Sequence, residues 1–561
     1  MNKLIALTSS LFLLLAIYAC TPKEEDTPRE TTSDTYPEVN YERPNILWLV
    51  TEDMSPYLAA YGDSTVYEYT PNLNRLVREG ITFTRSFSPS GVCAPSRFAI
   101  ATGMYPSSMG AHNMRTQGRS YFDELGIISY DVVTPPEVKM MSQIMRENGY
   151  YTTNNAKQDY QFKATVTAWD QNGRHAHYKN RAEGQPFFAI FNHEITHESQ
   201  IWKKADDSLY IPEDLEVPIP PYLPSTDSAV QDIRRMYSNI VEMDGLIGEK
   251  LKELEEAGLM DNTIIFWYAD HGGPLPRQKR LLYDSGMRLP LIVRLPDGMR
   301  AGTYDERLVS FIDYAPTVFS LAGIKPPDYL QGQAFLGEYT EPERDYVHGA
   351  ADRFDGFYDM VRAVRDKRFK YLKNFDLSKP YYMPVAYRTQ QPIMRELLRL
   401  KEAGELNEIQ MQWFSEKEPE QLFDTKNDPH ELYNLANEPA YEEKLKELRQ
   451  ECERWMKAID DKGHIPEPEL ISMFWPDWQE PGFTKPVTAA PEYSITDGKL
   501  SVSCSTEGHS IGYQIIELDG ELEETWQIYQ EPIDLPDGKE VYLITDRIGY
   551  AASEPVKVAV Q

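Results

Sequence analysis

Three runs along the chain are apolar at every position: Ile46-Leu-Trp-Leu-Val50, Phe187-Phe-Ala-Ile-Phe191 and Ile264-Ile-Phe-Trp-Tyr268. A strand with one wet face alternates; a strand covered on both faces does not. These runs therefore predict buried strands of a parallel sheet. Between them, apolar residues recur at helical spacing. The clearest case runs over 228–257, with Val230, Ile233, Met236, Tyr237, Ile240, Met243, Ile247, Leu251 and Leu254 on one face and Gly258 as the stop. Strands alternating with helices predict an α/β domain over 44–375, a mostly parallel sheet with helices on both faces.

The pattern changes twice beyond that point. Residues 376–483 are charged and helical in places (391–408 and 440–462), which predicts a smaller C-terminal α+β subdomain. From 484 to 561, short alternating segments at 499–503, 511–516, 541–545 and 556–560 are separated by turn residues, as in a small terminal β-sandwich. At the other end, Lys3 precedes an apolar stretch over 4–19 that is too short for a comfortable membrane span. Residues 1–19 read as a signal peptide. Ala19-Cys20 is similar to a bacterial lipoprotein cleavage box, with Cys20 as the lipidated residue and 20–43 as a flexible tether. This implies an exported lipoprotein of the outer membrane, at the cell surface or on the periplasmic face.

Composition narrows the function. A chain of 561 residues, 41% hydrophobic, can bury a large core. Its net charge of −31, from 57 basic and 88 acidic residues, repels polyanions and argues against a nucleic-acid partner. An anionic substrate would need a local basic pocket. The cysteines are Cys20, Cys93, Cys452 and Cys504, which do not form a disulfide scaffold. With Cys20 lipidated and Cys452 and Cys504 read as buried thiols, Cys93 is left for chemistry.

Polar clusters follow all three apolar runs: Thr51-Glu52-Asp53, Asn192-His193-Glu194-Ile195-Thr196-His197, and Ala269-Asp270-His271-Gly272-Gly273. In an open α/β sheet, ligands bind at that edge. Glu52, Asp53 and Asp270 are hard oxygen donors of the kind Ca²⁺ or Mg²⁺ prefers, and His271 is either a ligand or a hydrogen-bond donor to an anion. Between the first two clusters lies Ser90-Gly-Val-Cys-Ala-Pro-Ser-Arg97. Pro95 reads as the first helical residue, which puts Cys93 just ahead of a helix N-terminus with Arg97 about one turn along. On these grounds alone, Cys93 is either a thiolate nucleophile or a buried structural thiol.

The segment Cys93-Ala-Pro-Ser-Arg97, followed by Thr102-Gly-Met-Tyr-Pro106, resembles the signature of type I sulfatases of the alkaline phosphatase superfamily. Pro44 to Asp53, Tyr268 to Gly273, Lys279 to Pro290, Val361 to Tyr371 and Leu422 to Ala436 match further family segments in order, over about 44–440. The resemblance implies a sulfuric ester hydrolase whose cysteine is oxidised by a formylglycine-generating maturation enzyme. Glu52, Asp53, Cys93, Asp270 and His271 would hold one divalent cation, read as Ca²⁺. Arg97 would steady the formylglycine hydrate, and Lys157, His197 and Lys279 would serve the sulfate and the leaving oxygen. His112, Arg115 and His193 are weaker substrate-binding candidates. The substrate class is a sulfated glycan, ulvan-, carrageenan- or glycosaminoglycan-like. Two departures stand out. Glu52 replaces the usual Asp, and Asp159 stands where the family often has a histidine, whose role would be lost or moved to His112, His175 or His177. The run Arg277-Gln-Lys-Arg280 is expected to contact the anion.

Two other readings fit the sequence less well. A phosphatase or phosphodiesterase of the same superfamily would carry Ser or Thr at position 93. A silent glycan-binding surface lipoprotein would be expected to have lost some of this charged set.

Overall fold

The structure is a computed structural model and describes residues 42–118 and 122–559. The expected signal peptide, Cys20 and nearly all of the tether lie outside the described residues. No described helix is long and apolar enough to cross a membrane.

An eight-stranded sheet forms the body: β1 (Asn45–Thr51), β2 (Ile81–Phe87), β3 (Tyr151–Asn155), β4 (Gln171–Asn172), β5 (Phe187–His193), β6 (Thr263–Ala269), β7 (Arg288–Arg294) and β8 (Thr303–Ser310). Their order is β4-β3-β5-β1-β6-β7-β2-β8. Only β7 runs against its neighbours, and helices cover both faces. The three apolar runs are β5, β1 and β6, side by side at the centre. Thr51 pairs with His193 on one side and Ala269 on the other, so these strands end level. Trp48, fully buried, knits them together, with Phe188 at 5.1 Å and Tyr268 at 5.4 Å between ring centroids. The long amphipathic helix spans Asp227–Glu256, one residue from its expected place.

A second, antiparallel sheet holds β9 (Val347–Ala351), β10 (Val361–Arg365), β11 (Phe369–Asn374) and β12 (Glu420–Asp424), in the order β12-β11-β10-β9. The division expected at 375/376 therefore runs through a single sheet. Strand order along the chain concealed this, because β12 pairs with β11 across a loop and a helix, Pro392–Ala403. Helix Glu442–Ala458 packs on β10 and β11.

The last strands are β13 (Glu492–Thr496), β14 (Lys499–Ser503), β15 (Ser510–Glu517), β16 (Gln527–Ile528), β17 (Ile533–Asp534), β18 (Lys539–Asp546) and β19 (Val556–Lys557). They form two small antiparallel sheets, β13-β14-β17 and β16-β15-β18-β19, around a core of Leu500, Val541, Leu543 and Val558. This is the expected terminal sandwich. Hydrogen bonds fasten it to the body: Arg146 Nη2 to Trp526 O (2.9 Å), Val166 N to Asp546 Oδ2 (3.0 Å), and Thr167 Oγ1 with Ser510 Oγ (2.7 Å).

A buried ion pair ties helix Glu467–Phe474 to the body. The Glu467 carboxylate accepts from Arg353 Nε (2.6 Å) and Nη2 (2.7 Å), and from the hydroxyls of Tyr130 (2.8 Å) and Tyr358 (2.7 Å). Removing one partner of such a pair leaves a buried charge uncompensated. Glu467→Ala is expected to cost about 3–5 kcal/mol in unfolding free energy. Glu467→Gln, which keeps an acceptor, should cost less in the same denaturant titration.

Candidate active site

The level ends of β5, β1 and β6 bring the three polar clusters to one place. Asp53 and Asp270 follow their strands directly, and the Asp53 amide donates to Asp270 Oδ1 (3.1 Å). Cys93 is the first residue of helix Cys93–Thr102, two residues earlier than Pro95 predicted. Pro95 still lies in the first turn, where its missing N–H is tolerated. Cys93 is fully buried, with its Sγ 3.6 Å from His271 Nε2.

The donor atoms converge. One atom each from Cys93, Asp270 and His271 lies within 4.8 Å of the others, and the same holds for Asp53, Cys93 and His197. His271 Nδ1 faces the carbonyl of Gly272 at 3.0 Å. A carbonyl can only accept, so Nδ1 carries a proton, and Nε2 is the nitrogen turned toward Cys93 and toward Asp53 Oδ1 at 2.9 Å, to which it donates while the ring is protonated. Loss of that Nε2 proton would leave the tautomer a metal ligand needs. Burial alone would lower the His271 pKa, but Asp270 and Asp53 push it up to about 10. Its proton thus sits where a cation would compensate the same carboxylates. The donor set fits one hard divalent cation. Glu52, the fifth expected ligand, stands beside this cluster, not in it. Its Oε1 accepts from Lys157 Nζ (2.5 Å) and Arg97 Nη2 (3.2 Å).

Cations surround the carboxylates. Arg97 also donates to Asp270 Oδ2 (3.0 Å) and Asn192 Oδ1 (2.7 Å). Lys279 Nζ reaches both oxygens of Asp53 (2.8 and 2.6 Å) and lies 3.1 Å from His197 Nε2. Burial would raise the Cys93 pKa, yet Lys279 and Lys157 hold it well below the usual thiol value. The position of that sulfur thus stabilises negative charge. The Ser199 amide lies 3.2 Å from His197 Nδ1, and Nε2 faces Lys279 Nζ and the site.

The structure therefore brings Glu52, Asp53, Cys93, Arg97, Lys157, His197, Asp270, His271 and Lys279 together. Arg115 is at the rim, 3.5 Å from Asp159 and within the field of Cys93. His112 lies elsewhere, buried among Asp352, Arg362, Asp461 and Glu467. His193 turns toward Lys250, and burial lowers its pKa to about 4. His177 pairs with Glu253 (2.9 Å), and His175 is exposed on the loop after β4. None of the histidines proposed to replace the one missing at 159 joins the donor cluster.

The basic run after the cluster also divides. Only Lys279 points at the carboxylates. Arg277 donates to the carbonyls of His430 (2.9 Å) and Glu431 (2.8 Å). Arg280 binds both oxygens of Glu198 (3.0 and 2.8 Å) and Asp355 Oδ2 (2.6 Å). Glu198, Asp355 and Asn192 were not singled out from the sequence. Glu198 sits next to His197 in the chain, but nothing in its spacing announces a partner 82 residues away.

The comparisons with known proteins agree with this geometry. The sulfatase family model matches residues 44–210 and 169–324, and the model described as N-sulphoglucosamine sulphohydrolase, C-terminal, matches 277–388. An ulvan-active sulfatase of Formosa agariphila is 49% identical over 553 residues, covering 92% of this chain and 91% of the relative. This chain belongs to the sulfatase family. It is a sulfuric ester hydrolase. Human N-sulphoglucosamine sulphohydrolase is 25% identical over 459 residues, covering 74% of this sulfatase and 90% of the human protein. Among solved structures, a complex with D-glucosamine-2-N,6-O-disulfate covers 76% of the chain and 99% of its own, with a TM-score of 0.54 at 18% identity. A phosphonate monoester hydrolase from Silicibacter pomeroyi covers 75% and 96%, with a TM-score of 0.52 at 18% identity. These two establish the alkaline-phosphatase-like fold.

In this sulfatase, the segment carrying Lys279 is pressed backbone to backbone against the loops that carry His271 and Cys93. Gly272 N donates to Gly286 O (2.9 Å), Gly273 N to Ser285 O (2.9 Å) and Arg280 N to Gly91 O (2.7 Å). A Cβ on Gly286 would collide with the carbonyls of Leu281 and Gln278. Gly286→Ala should therefore lower stability by about 1–3 kcal/mol, as overpacking does. It should also reduce kcat, because Lys279 moves with the turn. Thermal unfolding and steady-state kinetics on the same preparation check both.

Proposed function

We propose that this sulfatase hydrolyses sulfate esters on an ulvan-type polysaccharide, using a formylglycine made from Cys93 and one divalent cation, Ca²⁺. The observation that carries the reading is the buried Cys93 Sγ, 3.6 Å from His271 Nε2, with Lys157 and Lys279 holding negative charge at its position. The glycan class rests on the 49% identical ulvan-active relative. Export as a lipid-anchored outer-membrane protein through Cys20, and conversion of Cys93 by a maturation enzyme, belong to the same reading.

A hydrated aldehyde at position 93 would supply one hydroxyl to attack sulfur as the S–O bond to the alcohol breaks, and a second whose loss of a proton would re-form the aldehyde and expel sulfate; a bound cation would polarise the sulfate oxygens. Asp53, Asp270 and His271 would hold the cation, with Glu52 alongside. Arg97, braced by Asp270, Glu52 and Asn192, fixes the floor of the site under residue 93. Lys157 and Lys279 draw the anionic ester in against the protein's overall negative charge. His197 and Lys279, whose Nε2 and Nζ face the site together, are placed to protonate the departing alcohol oxygen. The field at position 93 favours an anionic ester, and the family match favours a sulfate over a phosphate ester. Neither fits a silent binding protein.

Co-expression with a formylglycine-generating enzyme should lower the mass of the Cys93 peptide by roughly 18 Da, the difference between thiol and aldehyde and not a step on the thiol oxidation ladder. Cys93→Ser should abolish release of sulfate from ulvan oligosaccharides. An unmodified Cys93 peptide from a fully active enzyme would overturn the mechanism. Chelation should lower the melting temperature, and Ca²⁺ at about 100 times its Kd should restore roughly 2.7 kcal/mol of stability. Calorimetry with and without chelator reads this directly, and an unchanged transition would remove the cation from the account.

A further inference from the structure

Beside the candidate active site, a cavity of about 430 Å³ opens at the outer edge of the large sheet. That size is ordinary for a small-molecule subsite, about 300–1,000 Å³. Its wall begins at Gln158, the neighbour of Lys157, and continues through Lys163, Trp169, Arg174 and His175 to Glu524 and Thr525 of the terminal sandwich. The two places are mechanically joined. Asn155, at the end of β3, donates its side-chain amide to Arg174 O (2.8 Å). Thr525 Oγ1 donates to Asp170 O (2.8 Å), which sets the sandwich loop as the far wall.

The charges in this cavity differ from those elsewhere. The cations of the catalytic centre are all committed to carboxylates. Lys163, Arg174 and His175 are exposed, and among the described residues Lys163 has only the field of the buried Asp546 carboxylate beside it. Asp170, which also lines the cavity, is engaged by Arg146 (2.8 Å) and by the Thr152 amide (2.7 Å). Glu524 is the one exposed carboxylate on the wall. On a chain of net charge −31, the two exposed cations Lys163 and Arg174 on the wall of one cavity mark a place where negative charge is received. Trp169 lines the same wall, its ring stacked on Phe188 at 6.2 Å, and gives the cavity a rigid apolar surface.

We infer that this cavity is a second, non-catalytic subsite that binds an anionic sugar residue, carrying a carboxylate or a sulfate, of the same polysaccharide whose sulfate ester occupies the catalytic centre. The inference rests on the sulfated-polysaccharide reading above. It gives the terminal sandwich a part in substrate recognition, through the loop bearing Glu524 and Thr525. A chain held at Lys163, Arg174 and His175 as well as at Lys157 and Lys279 crosses the acidic surface on cations at both points. The enzyme would then favour oligosaccharides long enough to reach both.

The test is the double variant Lys163→Ala/Arg174→Ala in the full chain, co-expressed with the maturation enzyme. Both side chains are exposed, so the melting temperature should not change. With a sulfated tetrasaccharide cut from ulvan, KM should rise roughly tenfold with kcat unchanged, as for the loss of two exposed charge contacts. With 4-nitrophenyl sulfate, which is too small to reach the cavity, both constants should stay as in the wild type. Equal KM values on the tetrasaccharide would overturn the inference. Failure of the catalytic reading looks different: the wild type would turn over no sulfate ester. In that event, calorimetric titration of the tetrasaccharide into the Cys93→Ala protein decides the matter. Binding that weakens roughly tenfold in the Lys163→Ala/Arg174→Ala background supports the subsite. Absent or unaltered binding overturns it.

Discussion

Glu52, Asp53 and Asp270 are buried side by side at the ends of neighbouring parallel strands. Like charges this close, away from water, repel strongly unless cations stand among them. Much of the site is the answer to that constraint. Arg97 spans Asp270 and Glu52, Lys157 leans on Glu52, Lys279 covers Asp53, and His271 holds a proton between Asp53 and Asp270. The cations do more than neutralise. Together they leave the position of the Cys93 sulfur favourable to negative charge, which is what an incoming sulfate ester needs.

Holding such a cluster requires a rigid surround. Asn192 links the two strand ends, receiving Arg97 and donating to Asn154 Oδ1 (3.0 Å) and to the carbonyls of Asn155 (3.2 Å) and Lys157 (3.4 Å). Glu198 locks Arg280, and its amide donates to Asp53 Oδ2 (2.7 Å), so the loop after β5 and the Lys279 segment are fixed to each other through the site. Burial would raise the Glu198 pKa, but Arg280 and Lys279 hold it down to about 2. That carboxylate stays ionised, and the clamp stays closed, across the working pH range. The glycines at 272 and 286 let the backbones approach where no side chain could fit.

The protein as a whole is acidic, and a centre that receives a sulfate ester must work against that field. The catalytic centre does so with buried, paired cations whose geometry is fixed. The edge cavity instead presents exposed Lys163 and Arg174, as the proposed subsite requires. The body, the second sheet and the sandwich are not independent in this respect. The loop after β9 anchors the Lys279 segment through Asp355 and Arg280, and the sandwich supplies a wall of the edge cavity through Thr525, which donates to Asp170 O.

Much of this could be read along the chain. Continuous apolar runs have one good use in a chain of this size, as central strands covered on both faces, and polar residues that follow such runs must lie at one edge of the sheet. That reasoning brought Glu52, Asp53, His197, Asp270 and His271 to one edge, the helix start drew attention to Cys93, and the family resemblance alone raised Lys157 and Lys279 and supplied the expected roles. Other features were beyond it, because they depend on which distant segments touch. Pairing of β12 with β11 across a loop and a helix moved the end of the body. Arg277 and Arg280 were drawn off the anion by carbonyls and carboxylates from 75 to 154 residues away. His112 and His193 were turned to other neighbours. Local pattern follows from a residue's own chemistry and its spacing, so it is written in the chain. The partner a buried charge finds is set by packing, and a linear order of residues does not contain it.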